Sequence, residues 1–99
     1  MKRALFGPGG NSEAFKLSGA KSTLDAPMWL SSIGLDAYEY EAGNGIAASP
    51  AMLSAIGSEA KKHNISVSFH TPYFISLSGV EEEKRLKSIN YIEQSLNAA

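Results

Sequence analysis

This 99-residue sequence predicts a parallel α/β fold in the order βαβαβα. Three observations carry that expectation. Strand-like runs alternate with helical patterns three times along the chain. Strands joined through helices run parallel, with right-handed crossovers. A chain of this size buries roughly 60–70% of its extended surface, so it holds one modest core and one domain at most.

The first strand is expected near residues 3–6, Arg3 to Phe6, and stops at the turn-forming cluster "GPGGN". The polar stretch "SEAFKLSGAKS" reads as a loop. A first helix is expected from Thr23 to Ile33, capped by Thr23 or Asp25, with Pro27 in its first turn and Gly34 at its end. "LDAYEYE", residues 35–41, reads as the second strand, with Tyr38 and Tyr40 on one face and Ala37, Glu39 and Glu41 on the other. Ser49 and Pro50 form the clearest helix start in the chain, as cap and first helical residue. Leu53, Ile56 and Ala60 give that helix its apolar stripe, and His63-Asn64 closes it, His63 being placed to interact with the last carbonyls. "ISVSFH", residues 65–70, is the third strand, with Ile65, Val67 and Phe69 opposite Ser66, Ser68 and His70. Glu81, Glu82 and Glu83 then crowd the start of a third helix, the end of its dipole that favours acidic groups. Val80, Leu86, Ile89, Ile92 and Leu96 are its expected apolar face.

Composition narrows the function. A net charge of −1 gives no general pull toward nucleic acid, so such binding needs a local site. The absence of cysteine excludes disulfides and thiolate metal sites. No apolar run reaches the ~18 residues of a membrane span, and "MKRALFGPGG" is too short for a signal h-region, so a cytoplasmic chain with no membrane partner is expected.

The strand faces say more. A sheet covered by helices on both sides is apolar on both. Here one face is apolar and the other carries Glu39, Glu41, Ser66, Ser68 and His70. That pattern fits a barrel wall near its mouth, where site residues gather at strand C-termini. Three βα units do not close a TIM (β/α)8 barrel, which takes eight, and a doubly wound sheet is the alternative. The expected order is 1-2-3 with helices on one face. Bare strand edges and an open inner face predict a homo-oligomer for the isolated chain.

His70, at a strand end on the polar face, suits metal ligation as well as a plain strand-end hydrogen bond. Glu39 and Glu41 point the same way and are candidates for acid–base work or for solvated edge residues. "GPGGN" has glycines that let a backbone approach an anion, but lacks the full fingerprint and an immediate helix. "EEEKRLK" is a solvated helix face. Tyr73 and Phe74 sit on the loop behind His70, either stacking on a ligand or tucking beneath the third helix.

With those residues stated, "HTPYFISLSGVEEEKRLKSINYIEQSL" resembles the third βα unit of the endonuclease IV family (AP endonuclease 2), within the xylose isomerase-like TIM barrel superfamily. "FGPGGN" and "GLDAYEYEAGNG" extend the resemblance over nearly the whole chain. The resemblance implies the N-terminal three βα units of a barrel. It implies that His70 ligates one ion of a zinc (or other divalent metal) cluster, and that Tyr73 and Phe74 enter the minor groove of DNA with abasic sites. The activity it implies is metal-dependent hydrolysis of the phosphodiester at an abasic site, in DNA repair. The family's other ligands come from later strands, so the chain alone is expected to be inactive and to bind metal weakly or not at all. The alternatives are a non-catalytic, self-associating βα module and a fragment of a sugar isomerase or epimerase barrel.

Overall fold

A computed structural model describes residues 3–99. Two short strands, β1 (Ala37–Glu41) and β2 (Ser66–His70), pair in parallel. Their register sets Tyr38 beside Val67, Glu39 beside Ser68, Tyr40 beside Phe69 and Glu41 beside His70. Side chains alternate across a strand, so the large apolar residues share one face and the polar ones the other, as the sequence predicts.

The expected first strand at Arg3–Phe6 is not a strand. The chain instead meets the outer edge of β1 a few residues later, over residues 6–10. Ala37 N–H donates to Phe6 O at 3.1 Å, Glu39 N–H to Pro8 O at 3.0 Å and Gly10 N–H to Glu39 O at 2.9 Å. The order 6–10, β1, β2 and the parallel sense therefore agree with expectation, but only a single bridge, Gly9 to Glu39, has ladder geometry. Pro8 has no N–H to give, which keeps this edge irregular. Arg3 is occupied elsewhere, by a two-pronged pair with Asp36 at 2.7 and 3.1 Å.

Residues read as a polar loop contain a short helix, α1 (Glu13–Leu17). The Ser12 hydroxyl accepts from Phe15 N–H at 3.2 Å, and Phe15 is buried. The next helix starts differently from expectation as well. Ser22 caps a preceding 3-10 turn (Thr23–Asp25), while Asp25, at the N-cap position of the α-helix but without a side-chain cap bond to it, reaches back to the Ser22 and Lys21 N–H groups. This is a capping box, and α2 (Ala26–Ser32) continues from it with Pro27 in its first turn. Gly34, at φ +82°, ends α2 in a Schellman motif, with Gly34 N–H on Ser31 O and Leu35 N–H on Leu30 O.

Helix α3 (Pro50–Lys62) begins as expected, with the Ser49 hydroxyl accepting from Met52 N–H at 3.2 Å. It ends on Asn64 at φ 56°, a left-handed cap that returns Asn64 N–H to Lys61 O and Ile65 N–H to Ala60 O. The His63 side chain turns to Glu59, 3.5 Å away, one turn back, in place of the last carbonyls.

Phe15, Ala26, Leu30, Tyr38, Ala60 and Ile65 form the core, with Trp29 set edge-on against Phe15 at 5.3 Å. These residues join α1, α2 and α3 to the Tyr38 face of the sheet. Ser66, Ser68, Glu41 and His70 on the other face are exposed. Val67 departs from the expected burial: it is 43% exposed at the open edge of β2.

The last helix, α4 (Glu82–Ala98), spans the expected residues but presents a different face. Its buried side chains are Ser88 and Ser95, with Ile92 of the expected face half-buried, whereas Val80 before it and Leu86, Ile89 and Leu96 within it are exposed. The serines allow close approach. Ser76 N–H donates to Ser88 Oγ at 2.8 Å, and Ser88 and Ser95 return their hydroxyls to the carbonyls of Lys84 and Tyr91. Among the described residues no helix is long and apolar enough to cross a membrane.

Candidate functional site at the strand ends

The polar face of the β1–β2 pair is built from two cross-strand couples. Ser68 donates its hydroxyl to Glu39 Oε2 at 2.9 Å, which fixes one carboxylate over the middle of the sheet. One step nearer the strand C-termini, His70 Nδ1 lies 3.8 Å from Glu41 Oε2. Both couples follow from the register, since residues paired in adjacent strands point to the same side. Beside Glu39 and Ser68 the sheet opens into a cleft of about 290 Å³, bordered also by Leu5, Gly7 and Gly9.

The glycines at this border allow close approach of the neighbouring chain and of the Glu41 side chain. A Cβ on Gly9 would stand 2.7 Å from Glu41 Oε1, and one on Gly10 3.0 Å from Glu41 Cγ. The Glu41 side chain thus lies across the Gly9-Gly10 backbone. A Cβ on Gly7 would fall 1.5 Å from the Ala37 carbonyl oxygen, so this residue admits no side chain at all. "GPGG" serves close backbone packing against β1. Its Gly10 N–H is spent on Glu39 O and α1 starts only at Glu13, so it is no anion cradle of the helix-terminus kind. Its contact with Glu41 was not foreseeable from spacing, because it depends on where the irregular edge meets β1.

Behind the strand ends, two loops are clipped together. Ala42 N–H donates to His70 O at 3.0 Å, and Tyr73 N–H to Gly43 O at 2.9 Å. This holds the Tyr73-Phe74 loop behind the strand ends, and the two rings differ in their surroundings. Tyr73 is 74% exposed. Phe74, 41% exposed, sets its ring edge-on against Tyr91 of α4 at 4.7 Å. One ring faces solvent and the other anchors the last helix.

The face carries acidic side chains: neither strand contains Lys or Arg, while two carboxylates and one imidazole stand on one side. Arg3 is held at the opposite end of β1, where its guanidinium hydrogen bonds hold the Asp36 carboxyl below its usual range. Tyr38, on the other face, has its phenol pushed up by burial, and it donates to Asn11 Oδ1 at 2.8 Å. His63 lies apart, at the end of α3.

A metal-binding role can be tested against the donor set. Two ligands of a tetrahedral zinc ion stand roughly 3.3 Å apart, close to the 3.8 Å between His70 Nδ1 and Glu41 Oε2. Among the described residues no three His, Asp or Glu side chains converge, so His70 and Glu41 make a partial set. No protein-family model, curated protein or solved structure matches the chain, and its function is read from the residues of this face.

Proposed function

We propose that the chain is the N-terminal three βα units of an endonuclease IV-like barrel, a metal-dependent phosphodiesterase that acts on abasic-site DNA, and that it is inactive alone. The observation that carries this reading is the cross-strand His70–Glu41 couple at the strand C-termini of an acidic, helix-free face. In a barrel that is where site residues gather. His70 would hold one zinc or other divalent ion, with Glu41 beside it. A bound ion would lower the pKa of a water and neutralise a phosphate oxygen, an interaction for which the face offers no Lys or Arg of its own. Glu39, fixed by Ser68, is placed to take a hydrogen bond or proton from a group in the cleft. Exposed Tyr73 is the residue that would enter the DNA minor groove, with Phe74 holding its loop to α4.

Abasic-site cleavage by a chimera tests this reading. Residues 1–99 replace the first three βα units of an endonuclease IV-type enzyme, and zinc content is measured beside activity. The chimera is expected to bind zinc and cleave, and His70→Ala to lose both while keeping its fold. A folded chimera that does not cleave, or a His70→Ala variant that keeps metal and activity, overturns the proposal.

A second reading, the non-catalytic βα module that associates with itself, is favoured by the bare outer edge of β2 and the exposed apolar residues of α4.

A further inference from the structure

Strand β2 has one edge on β1, and among the described residues no strand pairs with the other. Ser66 N–H donates to Asp36 O, and His70 O accepts from Ala42 N–H, so the even-numbered residues of β2 turn their backbone groups to β1. The N–H and C=O groups of Val67 and Phe69 consequently face outward, with no partner among the described residues. Natural edges are blunted by lysine, proline, bulges or covering elements. Residues 66–70, "SVSFH", contain no such charge or proline, and all but Phe69 are exposed.

We propose that this edge is the interface of a two-fold homodimer in which β2 pairs antiparallel with β2 of a second copy, the axis passing at Ser68. The register is self-matching. With the axis at Ser68, Val67 stands opposite the partner's Phe69 and Phe69 opposite the partner's Val67. Each such pair exchanges two backbone hydrogen bonds, so the four outward donors of the two strands all find acceptors. Val67 then packs beside the partner's Phe69 on the apolar face and extends the Tyr40–Phe69 stack, whose rings lie 5.5 Å apart. The match carries no charge penalty, since β2 has no Lys, Arg, Asp or Glu and the chain's net charge is −1.

Further apolar area adjoins the edge. Val67, Phe69, Leu53, the last residue of α4, Ala98, and Ala99 after it border one groove. Leu96, in the same final turn of α4, is 71% exposed. Ile89 and Leu96 project roughly a quarter-turn from the buried Ser88 and Ser95 side, and Leu86 about half a turn from it. A stable interface takes about 800 Å² from each partner, more than a five-residue edge supplies, and the groove bordered by Val67, Phe69, Leu53 and Ala98 is the adjoining apolar surface that extends it. The partner is a second copy because an isologous contact requires one patch to fit itself, and this register does so.

The test uses the chain's lack of cysteine. At the axis, the two Ser68 residues form the non-hydrogen-bonded pair of an antiparallel ladder, with Cα atoms about 4.5 Å apart, within disulfide range. Ser68→Cys is expected to give a covalent dimer under mild oxidation, and Ser32→Cys on α2, which shares its groove with residues 15–29 and none of β2 or α4, to remain at least tenfold less cross-linked. Sedimentation of the unmodified chain should report a dimer. Val67→Pro, which removes an outward N–H and leaves the β1 ladder untouched, should sediment as a folded monomer. If that variant does not fold, the cross-link decides alone. A chain that stays monomeric up to about millimolar concentration overturns the proposal, and so does a dimer in which Ser68→Cys cross-links no better than the control. Neither readout uses metal or DNA, so the dimer and the hydrolase reading fail separately.

Discussion

Asp36 shows how a single half-buried carboxylate can tie down the segment that precedes the sheet. It sits just before β1, receives both prongs of the Arg3 guanidinium and lies 3.4 Å from the Phe6 N–H. The Arg3 hydrogen bonds lower its pKa from the ordinary value of 3.8. A carboxyl whose folded pKa is depressed contributes stability above its unfolded pKa and loses it as pH falls through the folded one. Thermal melts should therefore find Asp36→Asn less stable than the parent at neutral pH. The difference should close progressively below about pH 4. A constant gap across that acid range would show that the pair contributes no pH-linked stability. At this scale the sequence was partly legible. Alternation placed Glu39, Glu41 and His70 on one face, which the register upholds. The Ser68 hydrogen bond to Glu39 and the Arg3–Asp36 pair depend on register and on side-chain reach, which spacing does not carry.

Elements were legible where a cap or a stop residue stood alone. Ser49-Pro50 starts α3 and Gly34 ends α2 because each satisfies or accommodates backbone groups locally. Short α1 escaped notice since one turn holds too few residues for a periodic stripe; its only signals were Ser12 as cap and Phe15 as a buried anchor. The apolar stripe of α4 misled for a different reason. Periodicity reports which residues share a face, and the contact was made instead by the serine face next to it. The irregular edge at residues 6–10 was misplaced because close packing, not strand propensity, decides where it meets β1. That packing makes a prediction. Gly7→Ala should cost about 1–3 kcal/mol or more, the range for forced overpacking, since its Cβ would meet the Ala37 carbonyl at 1.5 Å. Gly43→Ala, with nothing within 4 Å of its Cβ, should change stability by less than ~0.5 kcal/mol. Urea unfolding of the two variants checks this, and equal midpoints would contradict the close approach.

Across the whole molecule, a parallel sheet with its helix-packed core on one face and an acidic face on the other is the feature from which every functional reading starts. The α/β class and strand order followed from alternation of elements. The incompleteness of the apolar cover, with Val67 and the α4 stripe exposed, followed only from the coordinates. The central claim is that the strand ends of the acidic face ligate a metal through His70 with Glu41 beside it. Zinc titration of the chain, followed by the ring signals of its two histidines in nitrogen-15 NMR spectra, tests that claim most directly. A lone histidine holds zinc poorly, since sites use three or four protein ligands, so a response beyond that of free imidazole measures what Glu41 adds. His70 is expected to respond at lower zinc concentration than free imidazole and to lose that advantage in Glu41→Gln, with the His63 response unchanged by the substitution. A His70 signal that moves no earlier than free imidazole, or that ignores Glu41→Gln, would contradict the account.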